Sequence, residues 1–123
     1  MTRRFPRTEA LIPDELLVKL IENGRTSEEQ DGFDPFPVVK LFTPDAAATW
    51  LLTEGYVEES DVRLFGLCDL GLGSPELGYA LLSEIEDVCG ELGLPVERDL
   101  YFKADHRLSA YAKIARHAGM IVT

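Results

Sequence analysis

The sequence predicts an α+β fold: a small antiparallel sheet of about four to five strands, arranged as a meander and packed with three helices. Three observations lead there. The apolar pattern changes period from helical to alternating and back along the chain. The strand candidates are joined by short connections, whereas parallel strands need crossovers of a dozen or more residues. The 123 residues, 46% hydrophobic, are enough for one core and one domain.

Residues 1–11 read as a flexible arm and 12–123 as a single domain. In "PDELLVKLIENGR", Pro13 suits a first helical turn, and Asp14 and Glu15 complement the positive end of the dipole. Leu16, Leu17, Leu20 and Ile21 form one apolar face, and Gly24 is the expected stop. "TSEEQDGFDPFP" is a loop by composition.

Strands follow over 38–42, 48–54, 63–70 and 76–82. Trp50 and Leu52 face one side and Leu51 the other. Leu64, Gly66 and Cys68 oppose Phe65, Leu67 and Asp69, while Leu77, Tyr79 and Leu81 share a face. "GYVEESD" reads as a polar break and Gly78 as a bulge. Residues 83–93 then read as a helix. Ser83 and Glu86 have capping-box spacing, Ile85, Val88, Cys89 and Leu92 form its stripe, and Gly93 closes it. An extended piece over 96–102 precedes a last helix over 109–119, where Tyr111, Ile114, Ala115 and Ala118 share a face. The expectation is helices over one sheet face, with the second face partly covered.

Charge is unevenly placed. The net charge is −10, from 22 acids and 12 basic residues. Residues 8–99 hold 21 of the acids against Lys19, Arg25, Lys40, Arg63 and Arg98, whereas both ends are basic. An acidic body repels phosphates, so direct nucleic-acid binding is not expected, and a basic protein partner is. No secretory pattern, membrane-length apolar run or disulfide framework is present, which implies a cytoplasmic protein with Cys68 and Cys89 reduced.

No constellation carries chemistry by itself. "CDLGLGSPELGY" begins like a dinucleotide loop at Gly71 and Gly73, but position 76 is Glu and a strand follows, so it reads as a turn. His106 and His117 lack metal-ligand spacing. Asp69 beside Cys68 disfavours a thiolate, and Cys89 falls on an apolar stripe. The candidate acidic surface is Asp69 with Glu76, flanking one turn, and Glu58, Glu59 and Asp61 on another. No catalytic residue, metal or cofactor is assigned. The expectation is a non-enzymatic interaction module that binds a basic partner or mimics DNA. The alternatives are a small metal-dependent hydrolase or nuclease using carboxylates, and a small-ligand sensor.

Four phrases, "IPDELLVKLIENGR", "DPFPVVKLFTPDAAATWLLTE", "FGLCDLGLGSPELGYALLSEIE" and "GLPVERDLYF", resemble in the same order the small bacterial proteins of domain-of-unknown-function family 2958. The resemblance covers about 12–103 and leaves the last helix as a feature of this chain. It implies no activity, cofactor or catalytic residue. It implies a stand-alone protein of plasmids and other mobile elements, found beside DNA-transfer and antirestriction genes.

Overall fold

A computed structural model describes residues 9–123. The elements run α1 (Asp14–Glu29), β1 (Val39–Phe42), β2 (Thr49–Glu58), β3 (Asp61–Asp69), β4 (Glu76–Leu81), α2 (Leu82–Glu86), β5 (Glu97–Arg98) and α3 (Leu108–Ala118). All neighbouring strands are antiparallel, in the order β4-β3-β2-β1-β5. The first four form the expected meander, and β5 returns to the outer side of β1.

Strand alternation divides the core in two. Trp50, Leu52 and Leu64 meet Leu20 of α1 and Ile85 of α2 on one face, together with Leu11 and Ile12. Leu51 and Leu67 meet Leu108, Tyr111, Ala112 and Ala115 of α3 on the other. Leu51, Leu52 and Leu64 are fully buried, each stabilising by about 1.5–3 kcal/mol. The second face is therefore covered by a helix of its own. α3 starts one residue before the expected 109, and Gly119, in the left-handed region at φ +76°, closes it. Leu11, placed at the end of the arm, is buried, and residues 1–8 of that arm lie outside the described residues. No helix among the described residues is long and apolar enough to cross a membrane.

Three local expectations are corrected. Gly24 does not stop α1, which continues to Glu29; it lies buried inside the helix, where a Cβ would meet the Gly55 carbonyl oxygen and the Tyr56 ring. Its lack of a side chain lets α1 lie close against β2 there. The polar "GYVEESD" is not a break. β2 and β3 form one long hairpin closed by the Glu58–Asp61 pair, with only Glu59 and Ser60 between them. The bulge is not at Gly78, where β3–β4 pairing is regular. It lies between Leu52 and Glu54, where the register with β3 shifts.

The helix expected over 83–93 is the largest difference. α2 ends at Glu86. Cys89 then bridges Pro95 antiparallel, and Leu92, assigned to the buried stripe, is exposed. A tertiary contact wins over local period here. The Asp45 carboxylate, from the β1–β2 turn, accepts the Leu92 N–H at 2.8 Å and the Leu94 N–H at 3.5 Å. Backbone groups that a helix would use are thereby satisfied by a side chain. The cap also differs: the Glu84 carboxylate accepts the Leu81 N–H at 3.1 Å, while Ser83 bonds to Asp61.

Candidate functional surface

The five acids singled out in the sequence do not converge. Asp69 ends β3 and is 3% exposed. Its Oδ1 accepts the Gly71 N–H at 2.8 Å and its Oδ2 accepts the Ile121 N–H at 3.0 Å. It thus shapes the β3–β4 turn and anchors the C-terminal tail. Glu76 is exposed at the start of β4 and pairs in register with Cys68, whereas Asp69 pairs with Thr49. Successive strand positions face opposite sides, so the hairpin sends these two carboxylates to opposite faces.

The trio Glu58, Glu59 and Asp61 lies together at the β2–β3 turn, but each has a separate local role. Glu58 pairs with Arg63, at 2.5 Å from its Nε. Glu59 occupies the turn at φ +51°. Asp61 accepts the Ser83 hydroxyl, the Val62 N–H at 2.8 Å and the Ser83 N–H at 3.2 Å. Those bonds, the Ser83 hydroxyl foremost, hold its carboxyl below the usual carboxylate range. Among the described residues, no group of three or more His, Cys, Asp or Glu side chains is arranged to hold a metal ion.

The remaining candidates have structural roles too. Gly71 and Gly73 take φ +81° and +86° in a turn that leads into β4. Burial pushes the Cys68 thiol up to about 11, which suppresses the thiolate a nucleophile needs. His106 packs edge-on to Tyr111, with ring centroids 5.1 Å apart.

A buried polar cluster escaped sequence reading. Glu54, 4% exposed, follows the β2 bulge. Thr53 Oγ1 donates to its Oε2 at 2.8 Å and Tyr56 OH to its Oε1 at 3.0 Å, while Asn23 Nδ2 donates to the Thr53 carbonyl at 3.0 Å. Burial raises the Tyr56 pKa, the Ser27 hydroxyl opposes this, and the Glu54 carboxylate adds to it. The signal in the sequence was the Thr53-Glu54 pair breaking an apolar alternation.

Two surface features stand out. The first is charge segregation between the sheet's faces. α1 carries Asp14, Glu15, Glu22, Glu28 and Glu29 against Lys19 and Arg25. On the same side, residues 82–91 carry Glu84, Glu86, Asp87 and Glu91 with no basic residue. On the opposite side, α3 and its lead-in expose Lys103, Arg107, Lys113 and Arg116. The second is a cavity of about 750 Å³ at the sheet end, lined among others by Lys40, Thr43, Thr49, Asp69, Asp99 and Ile121. Lys40 Nζ there donates to Thr123 Oγ1 at 2.7 Å and lies 3.6 Å from the Asp99 carboxylate.

A family model described as "Protein of unknown function (DUF2958)" matches residues 11–122. The chain belongs to this family. Comparison with curated proteins and with solved structures gives no match. The family's match extends past Arg107 and includes α3, so the last helix is not particular to this chain. Its packing explains why: α3 supplies the core of the second sheet face.

Proposed function

We propose that this DUF2958 protein is a non-enzymatic interaction module whose α1/α2 side docks a basic protein, as an accessory of bacterial mobile-element or DNA-processing systems. The carrying observation is the row of exposed carboxylates on α1. Asp14, Glu15, Glu22, Glu28 and Glu29 have no ion-pair partner among the described residues. With five carboxylates against Lys19 and Arg25, α1 is net negative, and a net negative surface attracts a basic partner and accelerates its encounter. DNA mimicry is the sharper form of this reading: the carboxylates would occupy a surface that otherwise holds phosphates. The resemblance to mobile-element proteins gives the same direction.

Pull-down from a bacterial lysate at low and high salt tests it, alongside a Glu15→Lys, Glu22→Lys, Glu29→Lys variant. The expected result is a basic protein that elutes with salt and is not retained by the triple variant. DNA competing for that protein supports mimicry. A lysate from which nothing elutes with salt overturns electrostatic recruitment.

The sheet-end cavity favours a second reading, a small-ligand sensor. Its ion-paired Lys40 and Asp99, beside the apolar Phe42 and Ile121, offer a small ligand polar and apolar contacts together. Thermal stabilisation by a metabolite, lost in Lys40→Met, supports that reading. The carboxylate-hydrolase alternative has less support, because Asp69 and Glu76 occupy opposite faces of the sheet.

A further inference from the structure

The two edges of the sheet are built differently. β5 is two residues long, and both, Glu97 and Arg98, are charged. Short charged edges resist the addition of another strand. β4 runs six residues, pairs with β3 without a bulge, and carries one charge, Glu76, at its first position. Among the described residues, only β3 pairs with it. Leu77 and Tyr79 project on the α3 side and are 49% and 57% exposed. The Tyr79 ring lies 4.9 Å from Phe65 of its own sheet, with the Arg63 guanidinium 4.5 Å from its centre. It is thus a held apolar surface beside an open row of backbone donors and acceptors.

We propose that β4 pairs antiparallel with β4 of a second copy, about a two-fold axis through Gly78, and joins two five-stranded sheets into one. Self-pairing must keep each face continuous, so opposed residues share parity and the axis passes through a residue. Centred on Gly78, the pairing opposes Leu77 to Tyr79 of the second copy, Gly78 to itself, and Glu76 to Ala80. No like charges meet, and each apolar–aromatic pair extends the patch over Phe65. The register that sets Leu77 against Tyr79 in both directions, with Glu76 opposite a neutral residue, is what selects a second copy over a foreign strand.

The interface sits at the low end of specific interfaces, below about 1,200 Å². Each copy carries −10, so repulsion opposes pairing, and salt strengthens it by screening. Docking of a basic partner on α1 responds to salt in the opposite direction, so the two ideas fail separately.

Sedimentation of the unmodified protein across salt concentrations is the first test. A dimer whose fraction rises with salt and disappears in Tyr79→Lys is expected. Cross-linking fixes the register. Opposed Cα atoms in an antiparallel pair lie about 4.5–5.5 Å apart, within disulfide range. In a Cys68→Ser, Cys89→Ser background, Gly78→Cys forms a disulfide-linked dimer at least tenfold faster than Lys113→Cys on α3. An equimolar mixture of Leu77→Cys and Tyr79→Cys links chiefly as the mixed pair. A monomer at every salt concentration, or no excess linking at position 78, overturns the proposal. Preferred self-linking at position 79 overturns its register.

Discussion

Replacing Gly24 by Ala sets two effects of known size against each other. In a helix interior Ala is favoured over Gly by about 1 kcal/mol, so α1 alone gains. Against β2 it loses. A Cβ at position 24 falls within 3.0 Å of the Gly55 carbonyl oxygen, closer than real Cβ atoms come to backbone, and 3.1 Å from Tyr56 Cε1. The carbonyl cannot rotate away without disturbing β2, so α1 must lift. Overpacking of this kind costs roughly 1–3 kcal/mol. Lifting α1 also strains the Asn23–Thr53 hydrogen bond, with about 1 kcal/mol at stake. The net expectation is destabilisation by about 1–2 kcal/mol, a fall in Tm of roughly 4–10 °C. Urea titration monitored by circular dichroism measures it. An unchanged m-value ties the shift to the native state. A Gly24→Ala protein as stable as the parent, or more so, refutes the close-approach explanation and restores Gly24 as a simple weak point of the helix.

Other outcomes follow from the same geometry. Asp69→Ala leaves the Gly71 and Ile121 N–H groups without their acceptor, for a loss of roughly 2–5 kcal/mol; equilibrium unfolding that shows less than about 1 kcal/mol contradicts the anchoring role. With its thiol pushed from 9.0 to about 11, Cys68 reacts with a thiolate-selective reagent near pH 8 about 100-fold more slowly in the native Cys89→Ser protein than in the same protein unfolded in urea. Equal rates count against burial as the cause. Asp61 ionises more readily in the folded protein, so its contribution is complete above the ordinary value of 3.8 and is lost as pH falls through the lower folded value. The Tm gap between the parent and Asp61→Asn therefore narrows below about pH 4; a gap constant through acid titration refutes the linkage. Glu59→Gly relieves a left-handed backbone at φ +51° and raises stability by up to about 1 kcal/mol in the same urea assay.

What was legible in the sequence is what local period dictates. Leu16, Leu17 and Leu20 mark α1, Trp50 against Leu51 marks the two faces of β2, and Tyr111 with Ala115 marks α3. What was not legible depends on contacts between distant segments. Gly24 looks like a helix stop until Gly55 is known to lie beneath it. Val88, Cys89 and Leu92 look like a helical stripe until the Asp45 carboxylate is known to take the Leu92 N–H. The surface fared similarly. Excess acid was visible from composition, but its separation from the α3 cations required knowing that α1 and α3 cover opposite faces.

The aspartates explain why the candidate acids misled. Asp34, Asp45, Asp61 and Asp69 each accept a backbone N–H from a distant segment: Ser109, Leu92, Ser83 and Ile121, separated by 75, 47, 22 and 52 residues. A carboxylate on a short stem suits this task, because it accepts several bonds while losing little side-chain freedom. Charge-assisted bonds are also the stronger kind. These four anions clip segments distant in the sequence to one another. Two of them, Asp61 and Asp69, stood out in the sequence because clips sit at turns, where sites are usually sought. The glutamates of α1 look bland by comparison, as a solvated helix face. Subtracting the clips leaves that face with five exposed carboxylates against Lys19 and Arg25. Substituting the clips should therefore lower the protein's stability, whereas substituting Glu15, Glu22 and Glu29 should leave it within about 0.5 kcal/mol and remove only its partner.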